Sequence, residues 1–272
     1  MDDALGDRAV ADDEPRARQR TTSSTKPRRR VSVVGVIGEL LITAGVITLL
    51  YVVWQLWVGD IIYSAERNAT GHELSQTWAQ EYAPPGATPT PTPTGEPAAA
   101  PPAAAPVILP QPADAEQFGV MRIPRFGADY FVPIAGGISR ERTLDTIGIG
   151  HYPGTRMPGE IGNFAVAAHR TTWGKPFNRI AELHINDAIV IETPDGWYTY
   201  RFRTLEYVTP DSVDVLLPVP QTMDVPPGTA YMTMTSCSPM YSMAERIVAY
   251  SVFDSFTPRS AGEPASLTEG AS

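Results

Sequence analysis

Residues 230–237, Ala-Tyr-Met-Thr-Met-Thr-Ser-Cys, alternate apolar and polar side chains up to a thiol. A period of two is that of a β-strand, which puts Thr233, Thr235 and Cys237 on one face and Met232 and Met234 on the other. Beyond a loop at 238–245, Arg246 opens a second run of strand-forming residues, 247–253. Paired as an antiparallel hairpin, the two runs make Cys237 and Arg246 neighbours.

Working outward, five further runs rich in Val, Ile, Tyr and Phe and bounded by Gly, Pro or Asp read as strands: 118–123, 130–134, 164–168, 188–193 and 197–208. Short helices are expected at 139–146, 177–183 and 211–216. Many strands with few helices predict a mainly β domain over 114–256, a closed or half-closed barrel. Residues 257–272 read as a loose polar tail.

The N-terminal part is different in kind. Residues 1–30 lack hydrophobic periodicity and end in a basic run, so they read as a disordered cytoplasmic tail. Residues 31–59 read as a transmembrane signal-anchor helix; the 19 residues 40–58 are free of charge and span about 28 Å as a helix. Trp54 and Trp57 suit an interfacial belt. Glu39, at the cytoplasmic border, is within reach of Arg30 or headgroup water, and a functional intramembrane acid is the alternative. A cleaved signal peptide competes with the anchor, but the apolar run is long for one and Tyr63 stands where a small residue would precede Ala65. Cations cluster before the span, whereas Arg67 is the lone one in 59–113, so the N-terminus is expected inside and the β domain outside, in a single-pass plasma-membrane protein. Residues 60–113 form a juxtamembrane piece followed by a Pro/Ala/Thr tract at 84–106. As polyproline II, that tract reaches about 70 Å, expected to hold the domain clear of the bilayer.

The net charge of −9 and the lack of a basic stripe in the β domain argue against a nucleic-acid partner. One cysteine excludes an intramolecular disulfide. A lone cysteine can be a small buried hydrophobe, but in an exported domain an idle thiol is an oxidation hazard, and Cys237 sits among hydroxyls. Arg246 could lower the thiol pKa or hold an oxyanion, or be a surface arginine at a strand start. His169 ends the run Phe-Ala-Val-Ala-Ala-His, a position suited to a general base although also compatible with a structural role. His151, before Tyr-Pro-Gly, is the second choice; His72 and His184 read as uninvolved. No Cys/His pair has metal-ligand spacing and no carboxylates form a calcium loop, so no metal or cofactor is expected.

Taken in order, Gly-Asn-Phe-Ala-Val-Ala-Ala-His-Arg at 162–170, Thr-Met-Thr-Ser-Cys at 233–237 and Arg-Ile-Val from Arg246 resemble the sortases, most closely class E of high-GC Gram-positive bacteria. Gly-His-Tyr-Pro-Gly-Thr from Gly150, Met-Pro-Gly-Glu from Met157 and Asp-Gly-Trp-Tyr-Thr-Tyr from Asp195 add to the likeness, which covers nearly all of 114–256. It implies an eight-stranded sortase β-barrel with Cys237 as nucleophile, His169 as acid and base, and Arg246 as electrostatic clamp. It also implies a C-terminal sorting signal of the Leu-x-x-Thr-Gly type, Leu-Ala-x-Thr-Gly in class E, cleaved between Thr and Gly. The acyl group would pass to an amine of a lipid-linked peptidoglycan precursor or a pilin lysine. Where the family usually shows Thr-Leu-x-Thr-Cys, this chain has Met234 and Ser236, and Ala168 stands where glycine often precedes the histidine. The first change conserves volume; the second keeps a hydroxyl but loses a methyl. Thr235, Ser236, Tyr152 and Tyr241 are expected to line the signal groove, because they lie near these motifs in sequence. An exported cysteine peptidase, and a surface-display β module with a merely buried Cys237, remain open alternatives.

Overall fold

The computed structural model describes residues 32–54, 58–82 and 104–269. The basic tail expected at 1–30, Trp57 and most of the Pro/Ala/Thr tract lie outside the described residues. Helix α1, Val33–Val53, has 21 residues and no buried side chain, and is long and apolar enough to cross a membrane. Its threonines, Thr43 and Thr48, donate to the carbonyls of Glu39 and Ala44, so these hydroxyls are satisfied within the helix.

Eight strands close into a barrel: β1 Gln117–Arg122, β2 Val132–Gly136, β3 Ile149–His151, β4 Gly162–Ala168, β5 Ala188–Thr193, β6 Gly196–Val208, β7 Ala230–Ser238 and β8 Glu245–Pro258. Their order is β1-β2-β3-β4-β7-β8-β6-β5, with β5 closing on β1. The pairs β2/β3 and β4/β7 are parallel and the rest antiparallel. Closure removes exposed sheet edges. All seven strands expected from the sequence form, and β3, a three-residue strand centred on Gly150, is the addition. The expected helices contract to single turns, Arg140–Leu144, Ile180–Glu182 and Val213–Leu216.

Strand alternation builds the interior. Met232 and Met234 of β7 join Met121, Ile134, Phe164, Tyr200 and Ile247 in the core. Thr233 leaves β7 on the other face and donates to Asn163 Oδ1 at 2.8 Å. The Asn163 amide in turn donates to the carbonyls of Val215 and Leu217 at 3.0 and 3.1 Å, which ties the β6–β7 connection over the barrel wall. The buried Asn163 and Thr233 side chains are thus paired with each other and with backbone carbonyls.

Helix α2, Gly59–Glu81, corrects the domain boundary drawn at residue 114. It packs on β1, β2 and β5: Trp78 meets Val120 and Phe131, Ser75 Oγ donates to Glu192 Oε1 at 2.8 Å, and Asn68 Oδ1 accepts the Phe131 N–H at 3.3 Å. The approach is closest at Gly71, where an added Cβ would sit 2.2 Å from the Phe131 carbonyl oxygen; only glycine fits there. Residues 104–113 also rest on the barrel: Leu109 packs against the core, Gln111 Nε2 donates to the Thr155 carbonyl at 2.7 Å, and the Tyr198 hydroxyl bonds the Val107 carbonyl. The Pro/Ala/Thr tract therefore joins two elements that lie on the same barrel. The expectation that its length holds the domain clear of the bilayer falls mostly on residues outside those described.

The tail expected to be loose from residue 257 is corrected as well. β8 runs on to Pro258, the Arg259 guanidinium lies over the Trp197 ring at 4.6 Å and donates to the fully buried Glu192 at 3.1 Å. Ser266 is buried against Thr199, 3.0 Å between hydroxyls. Arginine stacking and polar pairing hold this segment, and neither carries a hydrophobic period.

Candidate active site

Two strand pairings bring the reactive residues together. β4 and β7 run parallel with Ala167 opposite Thr235, so the residues that leave β4 lie beside the end of β7. Ser236 Oγ donates to the Ala168 carbonyl at 2.7 Å and fixes that junction, and His169 comes next. On the other flank, antiparallel β7 and β8 make Cys237 and Arg246 direct cross-strand partners, with side chains on one face and Cβ atoms about 5 Å apart. One cleft of about 500 Å³ is lined by Cys237, His169 and Arg246, and also by Tyr152, Thr235, Ser236 and Tyr241. All seven residues singled out from the sequence thus border one space.

Their surroundings differ. Cys237 is half-buried. His169 Nε2 lies 2.5 Å from Asp145 Oδ1; a carboxylate only accepts, so Nε2 carries the proton and Nδ1 is the basic nitrogen. Burial holds His169 below the ordinary histidine range, against the opposing pull of Asp145. Near neutral pH the ring is therefore mostly uncharged and able to take a proton. Arg246 Nη1 donates to the Met243 and Glu245 carbonyls at 3.1 and 2.9 Å, which braces the β7–β8 loop with part of the guanidinium and leaves other donors for the cleft. The Tyr152 hydroxyl is 2.9 Å from that of Thr235, which also donates to the Val166 carbonyl at 3.4 Å. Thr235 and Ser236 are buried and internally bonded, so they form the floor, while Tyr241 is 79% exposed at the rim.

Sequence reasoning missed two neighbours. Asp145 is one acid among several charged residues in the expected helix 139–146, and nothing local marks it as the histidine's partner. Arg170 is buried, with Nη1 3.4 Å from the Cys237 carbonyl; its place directly after His169 was the available signal. His151, the second choice, is structural. It is packed against Phe164 with ring centroids 5.3 Å apart, its Nε2 lies 3.1 Å from the Arg156 carbonyl, and burial pushes its pKa down to about 4. Among the described residues, no three His, Cys, Asp or Glu side chains come together as a metal site.

The family model for the sortase domain matches residues 121–253. Sortase SrtE1 of Streptomyces coelicolor is 33% identical over 255 residues, 92% of this chain and 65% of that relative. The crystal structure of sortase E1 from Streptomyces coelicolor with a tripeptide in the active site is 35% identical; the match covers 57% of this chain and 99% of that one, with a TM-score of 0.52. The chain belongs to the sortase family. Among solved sortases, SrtA from Actinomyces oris is also similar, at 33% identity and a TM-score of 0.57 over 60% of this chain and 93% of that one. The chain spans 65% of the length of the full SrtE1 sequence. Its departures from the usual sortase pattern are accommodated locally. Met234 is fully buried in the core, as volume conservation requires, and the Ser236 hydroxyl is engaged by the carbonyl of Ala168.

Proposed function

We propose that this sortase is a membrane-anchored cysteine transpeptidase, with its N-terminus in the cytoplasm and its barrel outside. It cleaves a C-terminal sorting signal of the Leu-Ala-x-Thr-Gly or Leu-Pro-x-Thr-Gly type between Thr and Gly. It then hands the acyl group to an amine of a peptidoglycan precursor or pilin. The convergence of Cys237, His169 and Arg246 on one cleft carries this reading. Family membership and a solved relative with a tripeptide in its active site support a peptide substrate.

In this mechanism His169 Nδ1 takes the Cys237 proton as sulfur attacks the Thr carbonyl, and Asp145 stabilises the imidazolium that forms. Arg246 holds the oxyanion of the tetrahedral intermediate. Collapse of that intermediate breaks the Thr–Gly bond, and His169 returns the proton to the leaving glycine amine. The thioester remains. An incoming amine loses its proton to His169 as it attacks, and the thiol is regenerated. Tyr152, Tyr241 and the Thr235–Ser236 floor bind the signal.

The test is mass spectrometry of the full chain in detergent with a Leu-Ala-x-Thr-Gly peptide and an amine, wild type against Cys237→Ala. Transfer of the amine to Thr, lost in the variant by a factor of about 10⁴ or more, is the expected result. Water as sole acceptor across a panel of amines would make the protein a peptidase. No cleavage of any signal variant would favour the display module.

A further inference from the structure

α2 does more than pad the barrel. Arg67, the lone cation of residues 59–113, is 5% exposed, and burial holds its guanidinium below the usual arginine range. Its Nη2 donates to the Asp145 carbonyl at 2.7 Å and to the Leu144 carbonyl at 3.4 Å. These carbonyls end the helical turn Arg140–Leu144, where backbone acceptors gather without partners. The next group along is the Asp145 carboxylate, 2.5 Å from His169 Nε2. The same face of α2 also clamps the segment after His169: Tyr63 and Trp173 have ring centroids 5.2 Å apart, and Asp60 lies 3.7 Å from Lys175.

We propose that Arg67 is a positioning residue for the acid–base pair: its grip on residues 144 and 145 fixes the Asp145 carboxylate against His169, which makes α2 a structural part of the active site. The argument rests on the reading of His169 as acid and base given above. Two observations favour positioning over stability. A buried guanidinium is a costly way to fill space, and an apolar side chain of similar length would pack there at less cost. The contact also falls on two adjacent carbonyls, one of them belonging to the residue that holds the histidine. A loop held at two points loses the freedom that would let the carboxylate swing into solvent.

The measurement compares full-length wild type, Arg67→Met, Arg67→Lys, Asp145→Asn and the Arg67→Met/Asp145→Asn double variant in detergent, for transfer kinetics and for the ¹⁵N titration of the His169 ring. Ser75→Ala, which removes an α2 contact to Glu192 away from Asp145, reports on helix docking alone. The groups that bear on His169 are Asp145 and Arg140 from the turn, Arg67 from α2, Arg170 beside it, and Cys237 and Arg246 across the cleft. Expected for Arg67→Met is a fall in kcat of about tenfold with KM within about twofold, partial recovery in Arg67→Lys, and no added loss in the double variant. Ser75→Ala keeps its kcat.

The titration decides between two routes. A displaced carboxylate lowers the His169 pKa, as Asp145→Asn does; mere loss of a nearby positive charge raises it. A rise in Arg67→Met, losses that multiply in the double variant, or an equal loss of kcat in Ser75→Ala would overturn the proposal. If wild type transfers to no amine while the His169 titration still falls in Arg67→Met, the positioning stands and the transpeptidase reading fails.

Discussion

Two segments flank the reactive residues, and they are built in opposite ways. Behind His169, α2 presents a buried face of Asp60, Arg67, Gly71 and Trp78 that meshes with the barrel. At the mouth, the β7–β8 loop shows Met240, Tyr241 and Met243 to solvent at 44%, 79% and 68% exposure, with Tyr241 held at φ +64°, a strained conformation for an aromatic residue. The first segment is fixed by packing and can hold a proton-transfer pair in register. The second is held by Arg246 at its base and by local turn bonds, Ser242 N–H to the Pro239 carbonyl at 3.0 Å and Ala244 N–H to Ser242 Oγ at 3.2 Å, while its apolar side chains stand open to solvent. On the function proposed above, chemistry and selectivity fall to different parts of the chain, and each is expected to be alterable without the other.

The sharpest way to break that division is Asp145→Asn. It leaves the cleft's shape intact but withdraws the charge that supports the imidazolium, so kcat/KM should fall by about 10- to 100-fold with little change in peptide binding. The sign of the pH effect follows: Asp145 raises the His169 pKa, so its loss lowers that pKa and moves the acid limb of the kcat/KM profile to lower pH. An unmoved limb would separate Asp145 from the chemistry. Next in size is Gly71→Ala. Its Cβ would strike the Phe131 carbonyl and lift α2, at a cost of about 1–3 kcal/mol, read as a fall in Tm of several degrees. An unchanged Tm would mean that α2 is only lightly held, and the contrast would collapse. The smallest effect belongs to the rim. Tyr241→Ala with Met243→Ala should raise the KM for signal peptides about threefold to tenfold, by removal of apolar contact, while kcat changes less than about twofold. A large loss of kcat would put the rim inside the catalytic machinery.

How legible each part was in the sequence follows from the forces that hold it. The seven long strands alternate or run apolar, and Ala-Ile-Val-Ile-Glu-Thr at 188–193 was readable to the residue, because burial on two faces writes itself as composition. The strand Ile149–His151 has three residues, one of them Gly150, and no window that short carries a period. Cys237 opposite Arg246 was available from hairpin geometry alone. Asp145 was not, because its partner lies 24 positions away and only the β3–β4 hairpin brings the two close. The inward face of α2 repeats at helical spacing, but apart from Trp78 its buried positions are Asp60, Arg67 and Gly71, residues that signal solvent or a turn when read one at a time. The same holds for Arg259 and Ser266 in the C-terminal segment. Polar docking of this kind is invisible to a search for hydrophobic periodicity, and both boundaries drawn by that search fell inside the folded body.

One consequence of the composition is practical. The chain has a single cysteine, and it stands half-buried at the cleft. A thiol-directed fluorophore or mass tag therefore has one destination, and the stoichiometry of labelling under native conditions counts the molecules whose thiol is accessible. A preparation can be standardised by that count before any substrate has been found, and an occupant of the cleft can be detected by the sites it hides from the reagent.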